Sequence, residues 1–175
     1  MKMGFSAYTD AVYLMKRGRQ YMKIRWKELL FSLAISLGTG ALAGLITRGG
    51  MEKYGQFQQP PLSPPGIVFP IVWTALYFLM GVSAYRVLVG EKPLREQAIS
   101  IYAAQLAVNF FWPLFFFGWG WFWFSFFWLL LLLVLVVWMI FLFFKNDRLA
   151  GILQIPYLLW LVFAAYLNLG VALLN

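Results

Sequence analysis

Side chains able to do chemistry are few in this 175-residue chain, and their types narrow the possibilities at once. It has no cysteine and no histidine. Its own side chains therefore offer no thiol nucleophile, no disulfide, no Cys or His metal site, no His haem ligand and no imidazole acid–base chemistry. What remains inside long apolar stretches is amide and indole. Gln105, Asn109 and Trp112 fall at i, i+4 and i+7, so on a helix they share one face. Pro113 follows, and its ring displaces the carbonyl of Asn109 four residues earlier, which sets an amide side chain beside a freed backbone acceptor. Trp73, Tyr77 and Gly81 repeat every four residues, as do Trp160, Ala164 and Asn168, with Tyr157 close to that face. A large ring beside a small residue leaves a recess suited to a flat ligand. In lipid such polar groups turn toward a partner helix or a cavity, and spacing alone leaves both readings open.

The elements that must position these groups are membrane-spanning helices. Hydrophobic residues make up 63% of the chain, aromatic residues 21% and charged residues only 11%. A soluble domain is nearer 45–50% apolar and about 25% charged, so this chain could not cover its own surface in water. An all-α membrane protein is expected, a bundle of five transmembrane helices at about 29–46, 67–87, 98–117, 121–144 and 149–173. Each span needs roughly 20 apolar residues. The charge-free run from Gln97 to Phe144 is too long for one crossing and must turn, most naturally at Gly118-Trp119-Gly120. Trp119, Trp121 and Trp123 then read as interface anchors. Strands are excluded because no run alternates in polarity.

Twelve of the 14 basic residues fall on the side of the N-terminus and the 2–3 and 4–5 loops, leaving Arg48 and Lys53 on the other. By the positive-inside rule the N-terminus is inside and the C-terminus outside. The net charge of +8 is thus topology, and no nucleic-acid partner is expected. Ser32, Ser36, Gly40 and Gly44 form a small-residue stripe that reads as helix packing and argues for a retained first span over a cleaved signal. The domain reading is a basic segment over residues 1–26, either surface-lying or preceding a true start at Met22, and a transmembrane domain over 27–175. Between the first two helices, residues 47–66 carry Gln58-Gln59-Pro60-Pro61-Leu62-Ser63-Pro64-Pro65-Gly66, and this much proline predicts a stiff, extended lid.

Three segments resemble a known family. Pro60-x-x-x-Pro64-Pro65-Gly66-x-x-Phe69-Pro70-x-x-Trp73-Thr74-x-Leu76-Tyr77-x-x-Met80-Gly81 is similar to the signature of the translocator proteins, also called tryptophan-rich sensory proteins or peripheral-type benzodiazepine receptors. Gln105 to Pro113 resembles that family's third helix, and Pro156 to Asn168 its fifth. The resemblance implies a five-helix bundle, commonly a homodimer, that binds porphyrins and other flat hydrophobic molecules in one pocket under the 1–2 loop. By matching positions it implies that Tyr54, Trp73, Asn109, Trp112, Trp160, Phe163 and Ala164 line that pocket. Trp73 and Trp160 match two tryptophans that bacterial relatives need for light-dependent breakdown of protoporphyrin IX. The family often has tryptophan where this chain has Lys53 and Leu62, and its animal cholesterol motif is not matched around Tyr166 and Leu169.

The functional expectation is a porphyrin-binding and transport protein of a bacterial cell membrane with a sensory or stress role. It needs no cofactor and no metal, and lipid and a second copy are its further partners. Arg48 and Lys53 would face the porphyrin carboxylates. The alternative is light- and oxygen-dependent protoporphyrin degradation on Trp73 and Trp160, and a vestigial pocket in a structural membrane protein is the third reading.

Overall fold

The computed structural model of the protein describes residues 24–175, with the side chains of residues 51–53 excepted. The expectations for the basic N-terminal segment and for Met22 lie outside the described residues up to residue 23. Among the described residues all regular structure is helical: α1 Trp26–Ile46, α2 Arg48–Tyr54, α3 Val68–Leu88, α4 Arg95–Pro113, a π-helical turn Leu114–Gly118, α5 Phe122–Asn146, α6 Arg148–Leu153 and α7 Ile155–Leu174. Five segments are long and apolar enough to span a membrane, α6 and α7 counting together as the fifth. The chain is an integral, multi-pass membrane protein.

Length explains the helices and local chemistry explains their ends. α1 and α4 start about a turn earlier than charge-free counting gives, because a first turn can hold charged residues such as Glu28 and Glu96. Pro113 closes α4, and the next turn widens so that the Trp119 N–H reaches back to the Leu114 carbonyl at 3.0 Å. The hairpin then turns at Gly120, whose φ of +68° suits glycine. The fifth span is interrupted: Asp147 caps α6 by accepting from the Ala150 N–H at 2.7 Å, and the helix restarts at Ile155 with proline in its first turn. The 47–66 connection is only partly extended. Its first half forms α2, since the prolines begin at Pro60, and α2 lies on the π turn because Gly50 has no side chain there.

The helices close in a ring in which α1 packs on α3, α3 on α6, α5 on α6, α7 and α4, and α4 back on α1. The small-residue stripe packs as expected over most of its length. The Ser32 hydroxyl donates to the Gly81 carbonyl at 2.8 Å and the Ser36 hydroxyl to the Tyr77 carbonyl at 2.6 Å. A Cβ at Gly40 would collide with the Tyr77 ring. At the basic end Arg86 grips Asp147 with two hydrogen bonds, of 2.9 and 2.7 Å, and ties α3 to the α5–α6 junction. Burial would raise the Asp147 carboxyl, but the Arg86 guanidinium and the backbone N–H groups of Ala150 and Leu149 hold it below the ordinary carboxylate value.

Candidate functional site

In the half of the bundle next to the 1–2 connection lies a cavity of about 370 Å³. It has three walls. From α1 come Leu37, Gly40, Ala41, Ala43, Gly44 and the following Thr47. From α3 come Phe69, Pro70, Trp73, Thr74 and Tyr77, and from α4 and the π turn Asn109, Trp112, Pro113 and Phe117. The space exists because α1 loses its side chains here. At Gly40 the stripe still touches α3, but around Gly44 nothing lies within 4 Å of where a Cβ would stand.

Ring faces and one polar corner dominate this space. The Trp73 ring is tilted against Tyr77 at 5.7 Å and against Trp112 at 6.2 Å. The Trp112 indole N–H is engaged with Asn168 Oδ1 at 3.1 Å, so that residue offers its ring rather than a donor. Asn168 is fixed in turn, since its Nδ2 donates to the Phe122 carbonyl at 2.9 Å and its Oδ1 also accepts from Ser125 at 3.1 Å. The polar corner is Asn109. Its Oδ1 accepts from the Tyr77 hydroxyl at 3.2 Å and its Nδ2 donates to the Tyr157 hydroxyl at 2.7 Å. Tyr157 donates onward to Gln105 Oε1 at 3.0 Å. The amide face of α4 therefore joins α3, α4 and α7, and one N–H of Asn109 remains for another acceptor. Next to the freed carbonyl expected at Asn109, the Val108 carbonyl takes the Trp128 indole N–H at 2.7 Å.

Trp73, Asn109 and Trp112 thus share this cavity, while Tyr54, Trp160, Phe163 and Ala164 lie off its wall. Phe69 stands between the two groups. Its ring is buried edge-on against Tyr54 at 5.2 Å, Phe117 at 6.5 Å and Trp160 at 6.0 Å. Behind it, the Tyr54 hydroxyl and the Trp160 Nε1 are buried without a partner among the described residues. Burial pushes the Tyr54 phenol above its ordinary value. Phe163 is half-buried, tilted against Trp160 at 5.6 Å, and Ala164 is buried in the core. Arg48 is exposed, and the Lys53 side chain lies outside the described residues.

The walls from α1 and the rings of Phe69 and Phe117 were not foreseen. Gly44 belonged to a stripe that reads as packing, and a void made by missing side chains leaves no motif. Among the described residues no cluster of His, Cys, Asp or Glu could hold a metal ion.

At the same end of the bundle the 55–67 connection is fastened to α7, and none of its residues lines the cavity. The Gln58 N–H donates to Asn175 Oδ1 at 3.0 Å, Asn175 Nδ2 donates to the Gln58 carbonyl at 2.9 Å, and the Tyr166 hydroxyl donates to the Pro61 carbonyl at 2.8 Å. Pro60 is buried against Gly170, where a Cβ would collide with its ring. This membrane bundle, with a tryptophan-walled space and a proline-rich connection between its first two spans, matches a family model, that of the TspO/MBR family, over residues 31–174. The chain belongs to the TspO/MBR family. It is 36% identical to the tryptophan-rich sensory protein of Cereibacter sphaeroides, over 88% of this chain and 95% of the relative. It is 34% identical to the translocator protein of Bos taurus, over 79% and 83%. A more distant TspO/MBR relative, the tryptophan-rich protein TspO of Archaeoglobus fulgidus, is 28% identical over 85% and 97%.

Proposed function

We propose that this chain binds porphyrins and other flat hydrophobic molecules within the membrane and serves a sensory or transport role, as the names of its relatives indicate for those proteins. The observation that carries the reading is the cavity walled by the Trp73 and Trp112 rings with Asn109 at its polar corner. Apolar walls with a few fixed polar groups are the common form of a small-molecule site. At about 370 Å³ the space is near the small end of the usual 300–1,000 Å³ range. It suits a ligand of a few rings as it stands. A tetrapyrrole is larger, so its entry requires Phe69 to turn aside, which would join the cavity to Tyr54, Trp160, Phe163 and Ala164 in one chamber. Light-driven porphyrin breakdown is not favoured, because Trp73 and Trp160 do not face each other across an open space in this arrangement.

The bundle is expected to act as a homodimer in a bacterial cell membrane, N-terminus inside and C-terminus outside, with Arg48 and Lys53 nearest the porphyrin carboxylates. The asymmetry of basic residues supports the orientation, and single cysteines placed in this cysteine-free chain test it by labelling from each side. Titration of tryptophan fluorescence with protoporphyrin IX in the dark tests the site. Saturable quenching weakened by Trp73→Phe and Trp112→Phe is the expected result. Linear quenching that is identical in both variants would mean partition into detergent and would end the porphyrin reading.

A further inference from the structure

Every exposed residue on the wall of the cavity belongs to α1 or α3. Ala41 and Gly44 of α1 and Pro70 and Thr74 of α3 are exposed, and Trp73 is half-buried. The opposite wall of Asn109, Trp112 and Phe117 is buried. The helix faces agree. α1 meets α4 along the flank of Ser32 and Ile35, which share a groove with Ile99 and Tyr102. Six residues on from Ile35, Ala41 is turned by about 240° around the helix and so stands on the other flank. The cavity therefore opens sideways, through a slot between α1 and α3.

Side-chain size makes the slot. The stripe holds α1 on α3 as far as Gly40, where the Tyr77 ring fills the place of a Cβ. Beyond it Ala41, Ala43 and Gly44 are too small to span the gap, and nothing stands within 4 Å of a Cβ at Gly44. Both helices have 21 residues, about 31 Å, close to the hydrocarbon thickness of a bilayer. Ala41 and Thr74 are five and six residues from the helix ends at Ile46 and Val68, which puts the slot roughly 7–9 Å inside the hydrocarbon.

The rim is dressed for lipid rather than for water. Next to it, Leu45 and Ile71 are exposed large apolar side chains. The Thr74 hydroxyl donates to the Pro70 carbonyl at 2.7 Å and the Thr47 hydroxyl to the Ala43 carbonyl at 2.8 Å. Both are turned back on their own helices, so neither asks for a partner at the opening. The end toward the 1–2 connection is closed instead. The Tyr54 ring stands edge-on to Phe69 at 5.2 Å and to Phe117 at 6.0 Å, and all three are buried. α2 lies so close at Gly50 that a Cβ there would collide with the Phe117 carbonyl. A molecule in water faces packed rings, while one dissolved in lipid faces an opening.

We propose that the α1–α3 slot is a lateral door through which flat apolar molecules dissolved in the bilayer enter the cavity. This role rests on the binding function proposed above and adds the phase from which the ligand comes. The cargo is drawn from the hydrocarbon of the leaflet beside the 1–2 connection. It slides edge-on between Gly44 and Thr74 and meets the Trp73 ring first, with Trp112 and Asn109 behind.

The test uses a small aryl diazirine that partitions into phosphatidylcholine vesicles holding the full chain, photolysed there and its adducts located by mass spectrometry. Trp112, buried on the far wall, should be labelled, whereas Leu129 and Met139, which are buried but do not line the cavity, should not. Because the chain has no cysteine, a single one can carry a plug. Ala41→Cys alkylated with a bulky maleimide before the probe is added should lose the Trp112 adduct. Leu62→Cys on the exposed connection, alkylated alike, should keep it. Alkylated after loading, the Ala41→Cys protein should retain the adduct through a wash with fresh vesicles that clears the parent, which a plug merely filling the cavity would not do. Thr74→Cys on the facing rim repeats the test should Ala41→Cys fail to fold. An unlabelled Trp112 in the parent, a label that survives the plug at residue 41, or loss of the label in both orders of addition would overturn the door. None of these outcomes involves a porphyrin: a labelled Trp112 lost to the plug, with no saturable porphyrin quenching, removes the porphyrin and keeps the door.

Discussion

The 55–67 connection is held to α7 by few contacts, so its release can be shifted by a known amount. Asn175→Ala removes the pair of hydrogen bonds with the Gln58 main chain while leaving the Pro60 and Tyr166 contacts in place. Both bonds are exposed, which puts each near the low end of the usual net value, about 0.5 kcal/mol. The variant should therefore favour opening by about 1 kcal/mol, roughly a fivefold rise in the open population. Adding Tyr166→Phe should bring the total to about 1.5 kcal/mol, or a little over tenfold. Hydrogen exchange reads this directly, since the Gln58 amide is itself a donor in the latch. Its exchange rate should rise by those factors, while amides in the middle of α5 stay unchanged. If the connection controls entry, the association rate of a hydrophobic ligand should rise in parallel while the quenching amplitude at saturation stays constant. Unchanged exchange at residue 58 in the double variant would refute the latch. Faster exchange with an unaltered association rate would keep the latch and remove the connection from the entry path.

Other expectations follow from single contacts. Asp147→Asn should destabilise the protein by about 1 kcal/mol, the charged bidentate bond alone, since asparagine keeps the helix cap and the pair's side chains are 25% and 23% exposed. Because the folded carboxyl is held below its unfolded value, that stability is full above the ordinary carboxylate range and is lost as pH falls through the folded value. Parent and variant melting temperatures should thus converge in acid, and a constant gap would contradict the assignment. Gly44→Leu should fold and block ligand binding, whereas Gly40→Ala should lose about 1–3 kcal/mol against the Tyr77 ring, and thermal melts beside ligand titrations separate the two. Leu62 has a φ of +68° at the turn where the Ser63 N–H reaches the Pro60 carbonyl, so Leu62→Gly should stabilise that turn by about 1 kcal/mol, read as slower exchange at Ser63.

The fold was legible wherever a physical length decided it. Apolar runs must match a bilayer, and the long run from Gln97 to Phe144 must fold back, so five spans and the turn at Gly118 to Gly120 could be read from residue order alone. Breaks inside the spans were harder to read. The interruption at Gln154 is signalled only by Asp147 and Pro156, two residues that also fit an unbroken helix start. The π turn depends on how the carbonyls beside Pro113 find new donors, which is a matter of neighbours rather than of sequence. The helix at Arg48–Tyr54 contradicts a uniformly extended cover because the proline constraint begins only six residues further on.

The site shows the same division more sharply. Helical period puts Gln105, Asn109 and Trp112 on one face, and that face is buried as a unit. The partners of those groups are not periodic in anything: Tyr157 and Asn168 are 52 and 56 residues away from the atoms they bind. Nor does spacing reveal that two tryptophans on equivalent recesses are kept apart. Trp73 and Trp160 each satisfy the same local rule, a large ring sharing a helix face with a small residue, Gly81 two turns from Trp73 and Ala164 one turn from Trp160. What separates them is Phe69, which lies four residues before Trp73 and carries no signal except its own bulk. On the proposed porphyrin reading Phe69 is the divider that has to move, since only its displacement would bring Tyr54 and Trp160 to the space walled by Trp73.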